Sequence, residues 1–251
     1  MMREPVMWGR FGQPQDTKAP LRGVLFDMDG TLTDSERIWT AALHEMAADL
    51  GGQLSPAARV RMLGQSLGRV VEMLHAETGA PGDREATRRS VLGKVEDEMQ
   101  RGVPWRPGAV ELLTAVRRTG LGTALVTSSP RRLVEIAIKD LGPCTFDVII
   151  CGDDVSRPKP DPQPYVMALS RLGLAAGDCV AVEDSVPGAL AAQRAGLPVL
   201  VVPSVEAVPA VAGRTVVTTL RGQSVDSLRS IRDRHRGDAA ALAGPVCRVV
   251  A

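Results

Sequence analysis

Between Ala109 and Val202 the chain alternates amphipathic stretches with short apolar runs, and this rhythm constrains the fold more than any other feature. Ala109 to Arg118 reads as a helix, Leu121 to Val126 as a strand, Arg131 to Leu141 as a helix and Phe146 to Cys151 as a strand. Pro164 to Leu172 (helix), Cys179 to Val182 (strand), Gly188 to Ala195 (helix) and Val199 to Val202 (strand) continue the series. Such alternation with short links predicts βαβ units with right-handed crossovers onto a parallel sheet. Val24 to Phe26, with apolar residues on both sides, fits a buried strand of the same sheet. Val216-Val217 adds an edge strand, and Ser224 to Arg236 a terminal helix before an Ala/Gly/Pro segment that is expected to fray.

The stretch from Asp34 to Arg101 follows a different rule. Ile38, Trp39, Ala42, Leu43, Met46 and Leu50 recur every three or four residues, which marks one helical face, ended by Gly51-Gly52. A second helical stretch begins at Pro56, is interrupted around Gly64 and Gly68, and resumes through Val70, Val71, Met73 and Leu74. After Ala80-Pro81-Gly82, Asp83 can cap a long helix through Met99. The expected organisation is an irregular leader over residues 1–20, a core over 21–33 and 105–220, an all-helical insert over 34–104, and a C-terminal helix and tail over 221–251.

The 251 residues and a hydrophobic fraction of 44% suffice for real cores. Thirty basic against 29 acidic residues give no reason to expect nucleic acid or an anionic membrane as partner. Cys144, Cys151, Cys179 and Cys247 lack metal-binding spacing, and neither a signal-peptide pattern nor a membrane-length apolar run is present. A cytoplasmic protein, monomeric or weakly dimeric, is expected.

The chemistry gathers at the strand ends. Asp27 and Asp29 follow the first apolar run, with Gly30 able to bend the backbone so that both face one crevice. Paired carboxylates repel, so a Mg²⁺ site is one reading and an ordinary Asp-rich turn the other. Ser128, Lys159 in Arg157-Pro158-Lys159-Pro160, and Glu183-Asp184 follow later runs, and a parallel sheet brings all these ends together. The set suits phosphoryl transfer. Asp27, the carbonyl of Asp29 and Asp184 can ligate Mg²⁺, and Lys159 can neutralise developing charge. Ser128 either donates to phosphate or caps the helix at Arg131.

Asp27-Met28-Asp29-Gly30-Thr31, Ser128, Lys159 and Glu183-Asp184, in that order, resemble the four motifs of the haloacid dehalogenase-like (HAD) hydrolase superfamily. The resemblance spans roughly Gly23 to Val202 and implies a Rossmann-like α/β core with a parallel sheet and an inserted helical cap. It implies Asp27 as a nucleophile forming an aspartyl-phosphate and Asp29 as general acid/base. Ser128, Ser129 and Lys159 would bind phosphate, and Asp184 would anchor Mg²⁺ with support from Glu183 and Asp29. For Thr31 a place at the phosphoryl site and simple packing are both open.

The resemblance is nearest to the β-phosphoglucomutase and phosphatase branch. Trp39 stands where such mutases place a histidine, and Leu67, after Gly64-Gln65-Ser66, where they place a phosphate-gripping arginine. Both departures favour hydrolysis of a small phosphorylated metabolite over a mutase reaction, although Arg69 stands one helical turn away as a substitute. Asp29 and Asp184 argue against dehalogenation, and Lys94, in polar surroundings, against a phosphonatase. A non-catalytic binding scaffold is the remaining alternative. Trp39, Gln65 and Leu67 are candidates to face the substrate from the cap, with cap packing the other reading of Trp39.

Overall fold

The structure is a computed structural model that describes residues 20–142 and 145–243; residues 1–19 of the expected leader, Cys144, Cys247 and the last tail residues lie outside them. Six parallel strands form one sheet in the order β3-β2-β1-β4-β5-β6. They are β1 (Gly23–Phe26), β2 (Gly122–Val126), β3 (Val148–Ile150), β4 (Cys179–Glu183), β5 (Val199–Val201) and β6 (Arg214–Val216). The last of these begins two residues before the expected edge strand.

β1 lies at the centre because its residues are apolar on both faces, and all four are buried. Val24 and Phe26 join one core with Val180, Val182, Leu112, Val116, Leu228 and Ile231. Leu25 points the other way, into a core with Ala124, Val126, Tyr165, Ala168 and Ala189. Helices α5 (Ala109–Arg118) and α9 (Val225–Ala243) cover the first face, and α7 (Gln163–Leu172) and α8 (Val186–Arg194) the second. The register pairs Phe26 with Leu125 on one side and with Val182 on the other. Asp27, Thr127 and Glu183 therefore leave the sheet at one edge.

The insert consists of α1 (Glu36–Asp49), α2 (Pro56–Met62), α3 (Leu67–Thr78) and α4 (Arg84–Gln100). Hydroxyl and carboxylate caps start three of them: Ser55 accepts from the Ala58 amide, Ser66 from Arg69 and Asp83 from Glu85. The two chain segments that join this cap to the core run side by side. Thr33 bridges Trp105 in antiparallel fashion, the Asp34 amide donates to Pro104 O, and the Arg106 amide donates to Leu32 O.

Three local expectations are corrected. Gly68 does not interrupt a helix but sits in the first turn of α3, where it is solvent-exposed. Arg131 to Leu141 is not one helix: α6 (Arg131–Ala137) gives way to a 3₁₀ turn over Lys139–Leu141. The terminal helix, expected to end at Arg236, runs on to Ala243, where Ala239 to Ala241 have high helix propensity.

Candidate active site

Asp27 is the first residue beyond β1, and its amide still donates to Val182 O at 2.9 Å, so the strand geometry fixes its direction. A tight turn follows. The amides of Leu32 and Thr33 both donate to Met28 O at 2.9 Å, and Gly30 adopts φ +78°. A Cβ at Gly30 would lie 2.1 Å from Asp184 Oδ2. Glycine is required there by the backbone and by the close approach of the second acidic segment.

Lys159 Nζ donates to Asp27 Oδ1 at 2.7 Å, Glu183 Oε1 at 2.6 Å and Val126 O at 2.9 Å, which uses all three of its protons. Glu183 is fully buried and also accepts from Tyr165 Oη at 2.6 Å. Asp184 Oδ2 accepts from Ser204 Oγ at 2.5 Å. Oxygens of Asp27, Glu183 and Asp184 lie within 4.8 Å of one another. Three carboxylates against one ammonium leave two negative charges uncompensated in a buried site.

The acidities respond accordingly. Burial pushes Asp27 up to about 7, against the attraction of Lys159 and with added repulsion from Glu183 and Asp29. Burial, then the charges of Asp27 and Glu183, raise Asp184 well above the carboxylate range. Lys159 is held protonated: burial opposes its charge, but Asp27 and Glu183 outweigh it and raise its pKa. A hard divalent cation fits this donor set, since it would supply the two missing positive charges to oxygen ligands.

Asp29 belongs to a different environment. Its Oδ1 accepts from Ser35 Oγ at 2.6 Å and Trp39 Nε1 at 3.2 Å, both on the cap side. Its Oδ2 accepts from Ser129 Oγ at 2.7 Å and Thr127 Oγ1 at 3.3 Å, both on the core side. Its carboxylate thus joins cap to core rather than joining the three-carboxylate cluster.

A cavity of about 60 Å³ lies between cap and sheet. It is lined by Asp27, Asp29, Ser128, Ser129, Lys159 and Asp184 from the core, and by Trp39, Gln65 and Leu67 from the cap. Thr31 and Glu183 are fully buried and do not line it. The Thr31 hydroxyl has no hydrogen-bond partner among the described residues. Ser128 Oγ reaches Gly64 O at 3.5 Å and does not cap α6, because the Asp153 carboxylate takes the Arg131 amide. Arg69 is exposed and lines not this cavity but a neighbouring crevice, with Arg61, Met73 and Glu206, that shares Leu63 and Gln65 with it. Lys94 pairs with Glu45 and Asp49 on the cap surface.

Sequence reasoning missed several members of this site. Thr127, buried directly at the end of β2, had a usable signal, since it opens the same hydroxyl run as Ser128. Tyr165 and Ser204 had none, because each reaches its carboxylate from a distant part of the chain. The pair Glu36 and Arg59, which lines the cavity from the cap, was also missed.

The model of the haloacid dehalogenase-like hydrolase family matches residues 24–202. The chain belongs to that family. It is 31% identical to hexitol phosphatase B of Escherichia coli (strain K12) over 76% of this chain and 87% of that protein. It is 32% identical to protein CbbY of Rhodobacter capsulatus, over 73% and 86%. The crystal structure of CbbY from Rhodobacter sphaeroides in complex with phosphate superposes with a TM-score of 0.73 at 28% identity, covering 83% of this chain and 99% of the other. No helix among the described residues is long and apolar enough to cross a membrane.

Proposed function

We propose that the protein is a Mg²⁺-dependent phosphomonoester hydrolase acting on a small phosphorylated metabolite. One observation carries this reading: Asp27, bonded to a buried lysine inside a surplus of negative charge, opens into a cavity whose far side is the cap. The phosphatase relatives support it.

Asp27 is the nucleophile. Its Oδ forms the bond to phosphorus as the ester P–O bond breaks, giving an aspartyl-phosphate. Asp29, held between Ser35 and Trp39 on one side and Thr127 and Ser129 on the other, delivers a proton to the leaving oxygen. It then takes a proton from the water that attacks the acyl-phosphate, releasing inorganic phosphate and restoring the Asp27 carboxylate. Ser128 supplies a hydroxyl donor for the phosphoryl oxygens, while Thr127 and Ser129 spend their hydroxyl protons holding Asp29, and Lys159 keeps Asp27 oriented and charged. Mg²⁺ would be held by Asp27, the Asp29 carbonyl and Asp184, with Glu183 behind them, and would neutralise phosphoryl charge.

The cavity is far below the ~300–1,000 Å³ of ordinary small-molecule pockets. Substrate entry therefore requires the cap to lift from Asp29 and Gly64, and closure excludes water during attack. Arg69 does not line the cavity that holds Asp27, which supports hydrolysis over a mutase reaction. Phosphate release from a phosphomonoester panel, with Mg²⁺ and with chelator, tests the assignment. β-Glucose 1-phosphate with a catalytic amount of its bisphosphate belongs in the panel. Release only with Mg²⁺ supports hydrolysis; glucose 6-phosphate as product, or no release from any ester, contradicts it.

A further inference from the structure

Glu36 and Arg59 come from different cap helices, are each about nine-tenths buried, and form an ion pair that lines the same cavity as Asp27. A buried ion pair costs desolvation that well-packed apolar residues would avoid, so its place on a cavity wall needs a reason beyond stability. Arg59 spends Nε on Thr40 Oγ1 at 2.9 Å and Nη2 on Glu36 Oε2. Neither Arg59 Nη1 nor Glu36 Oε1 has a partner among the described residues. The wall thus offers unspent guanidinium N–H groups of Arg59 and an unspent carboxylate oxygen of Glu36 with nearly zero net charge, amid apolar Leu43, Met62, Leu67 and Val70.

We propose that the Glu36–Arg59 pair selects the organic half of the substrate. It receives hydroxyl groups, which both donate and accept, and it rejects a second anionic group. The inference rests on the hydrolase reading for its reacting centre and adds the class of leaving group, an uncharged polyhydroxy chain. A free arginine in this position would attract a carboxylate or a second phosphate. Here Glu36 cancels that attraction, and Asp29 and Asp34, the other acids acting on Glu36, add to the repulsion.

The test is calorimetric binding at pH 7.5 with Mg²⁺, using the full chain carrying Asp27→Asn so that bound esters are not consumed. Two probes of equal length differ at the terminal carbon: glucitol 6-phosphate ends in a hydroxymethyl group and 6-phosphogluconate in a carboxylate. Glucitol 6-phosphate is expected to bind at least about tenfold more tightly, since like charges brought together in a buried site are strongly disfavoured. Adding Glu36→Gln should abolish or invert this preference. The charge-neutral Glu36→Gln/Arg59→Gln pair, which leaves no unpaired buried cation, should bind the polyol ester about tenfold more weakly, because charge-assisted hydrogen bonds are lost. Equal affinities in the Asp27→Asn parent, tighter binding of the acid, a preference unchanged by Glu36→Gln, or no binding of either ester overturns the inference. Turnover by the wild-type chain is a separate readout: its absence removes the hydrolase reading, while the binding ratio still decides this one.

Discussion

The charge surplus around Asp27 has a measurable consequence for stability. Asp27 is raised from 3.8 to about 7, chiefly by burial, so the metal-free folded protein retains a proton that the unfolded chain releases between about pH 4 and 7. A carboxylate with a raised folded pKa makes stability fall as pH rises through that window. At roughly 1.4 kcal/mol per pKa unit the loss approaches about 4 kcal/mol above pH 7. Asparagine has the shape of the protonated acid and does not titrate. In chelator, Asp27→Asn is therefore expected to match the wild type at pH 4 and to exceed it by up to about 4 kcal/mol at pH 8. Mg²⁺ at a hundred times its dissociation constant should narrow the gap by about 3 kcal/mol, since the ligand set that favours binding is the wild type's. Urea unfolding from pH 4 to 8, with and without Mg²⁺, measures each quantity. A variant less stable than the wild type at pH 8 in chelator, or a difference independent of pH, would refute the reasoning.

Two further substitutions probe the surroundings of the acids. Trp39→Phe removes the Nε1 donor to Asp29 while keeping most of the packing. It is expected to lower kcat about tenfold, because Asp29 loses a positioning donor, and to lower the melting temperature by several degrees, because one hydrogen bond to a charged group contributes about 1.5–3 kcal/mol. Gly30→Ala drives a Cβ to 2.1 Å from Asp184 Oδ2 at a φ of +78°. Isothermal titration should show Mg²⁺ binding weakened at least tenfold, as geometric distortion of a single ligand usually costs this much.

How much of this was legible beforehand depended on the range of the interaction. The centre of the sheet was readable because Val24 to Phe26 must be buried on both sides, and the strand-end rule then drew Asp27, Lys159 and Glu183-Asp184 to one edge. The cap helices were readable from their periodicity and from Asp83 as a cap. Gly68 misled because glycine lowers helix propensity by only about 1 kcal/mol, which the Ser66 cap and the packing of Leu67, Val70 and Leu74 override. Ser128 as a helix cap failed for a tertiary reason, since Asp153 arrives from the end of β3 to take the Arg131 amide. Tyr165, Ser204 and the Glu36–Arg59 pair are contacts between elements 18 to 23 residues apart, formed by packing that no local pattern announces.

The central claim is that Asp27 attacks phosphorus. Rapid acid quench of the wild-type protein turning over a ³²P-labelled phosphomonoester with Mg²⁺, followed by peptide mapping, tests it most directly. Acid-stable, hydroxylamine-sensitive label on the peptide containing Asp27, absent from Asp27→Asn, is the predicted result. Steady release of labelled phosphate with no label on the protein at any quench time, together with turnover retained in Asp27→Asn, would contradict the account.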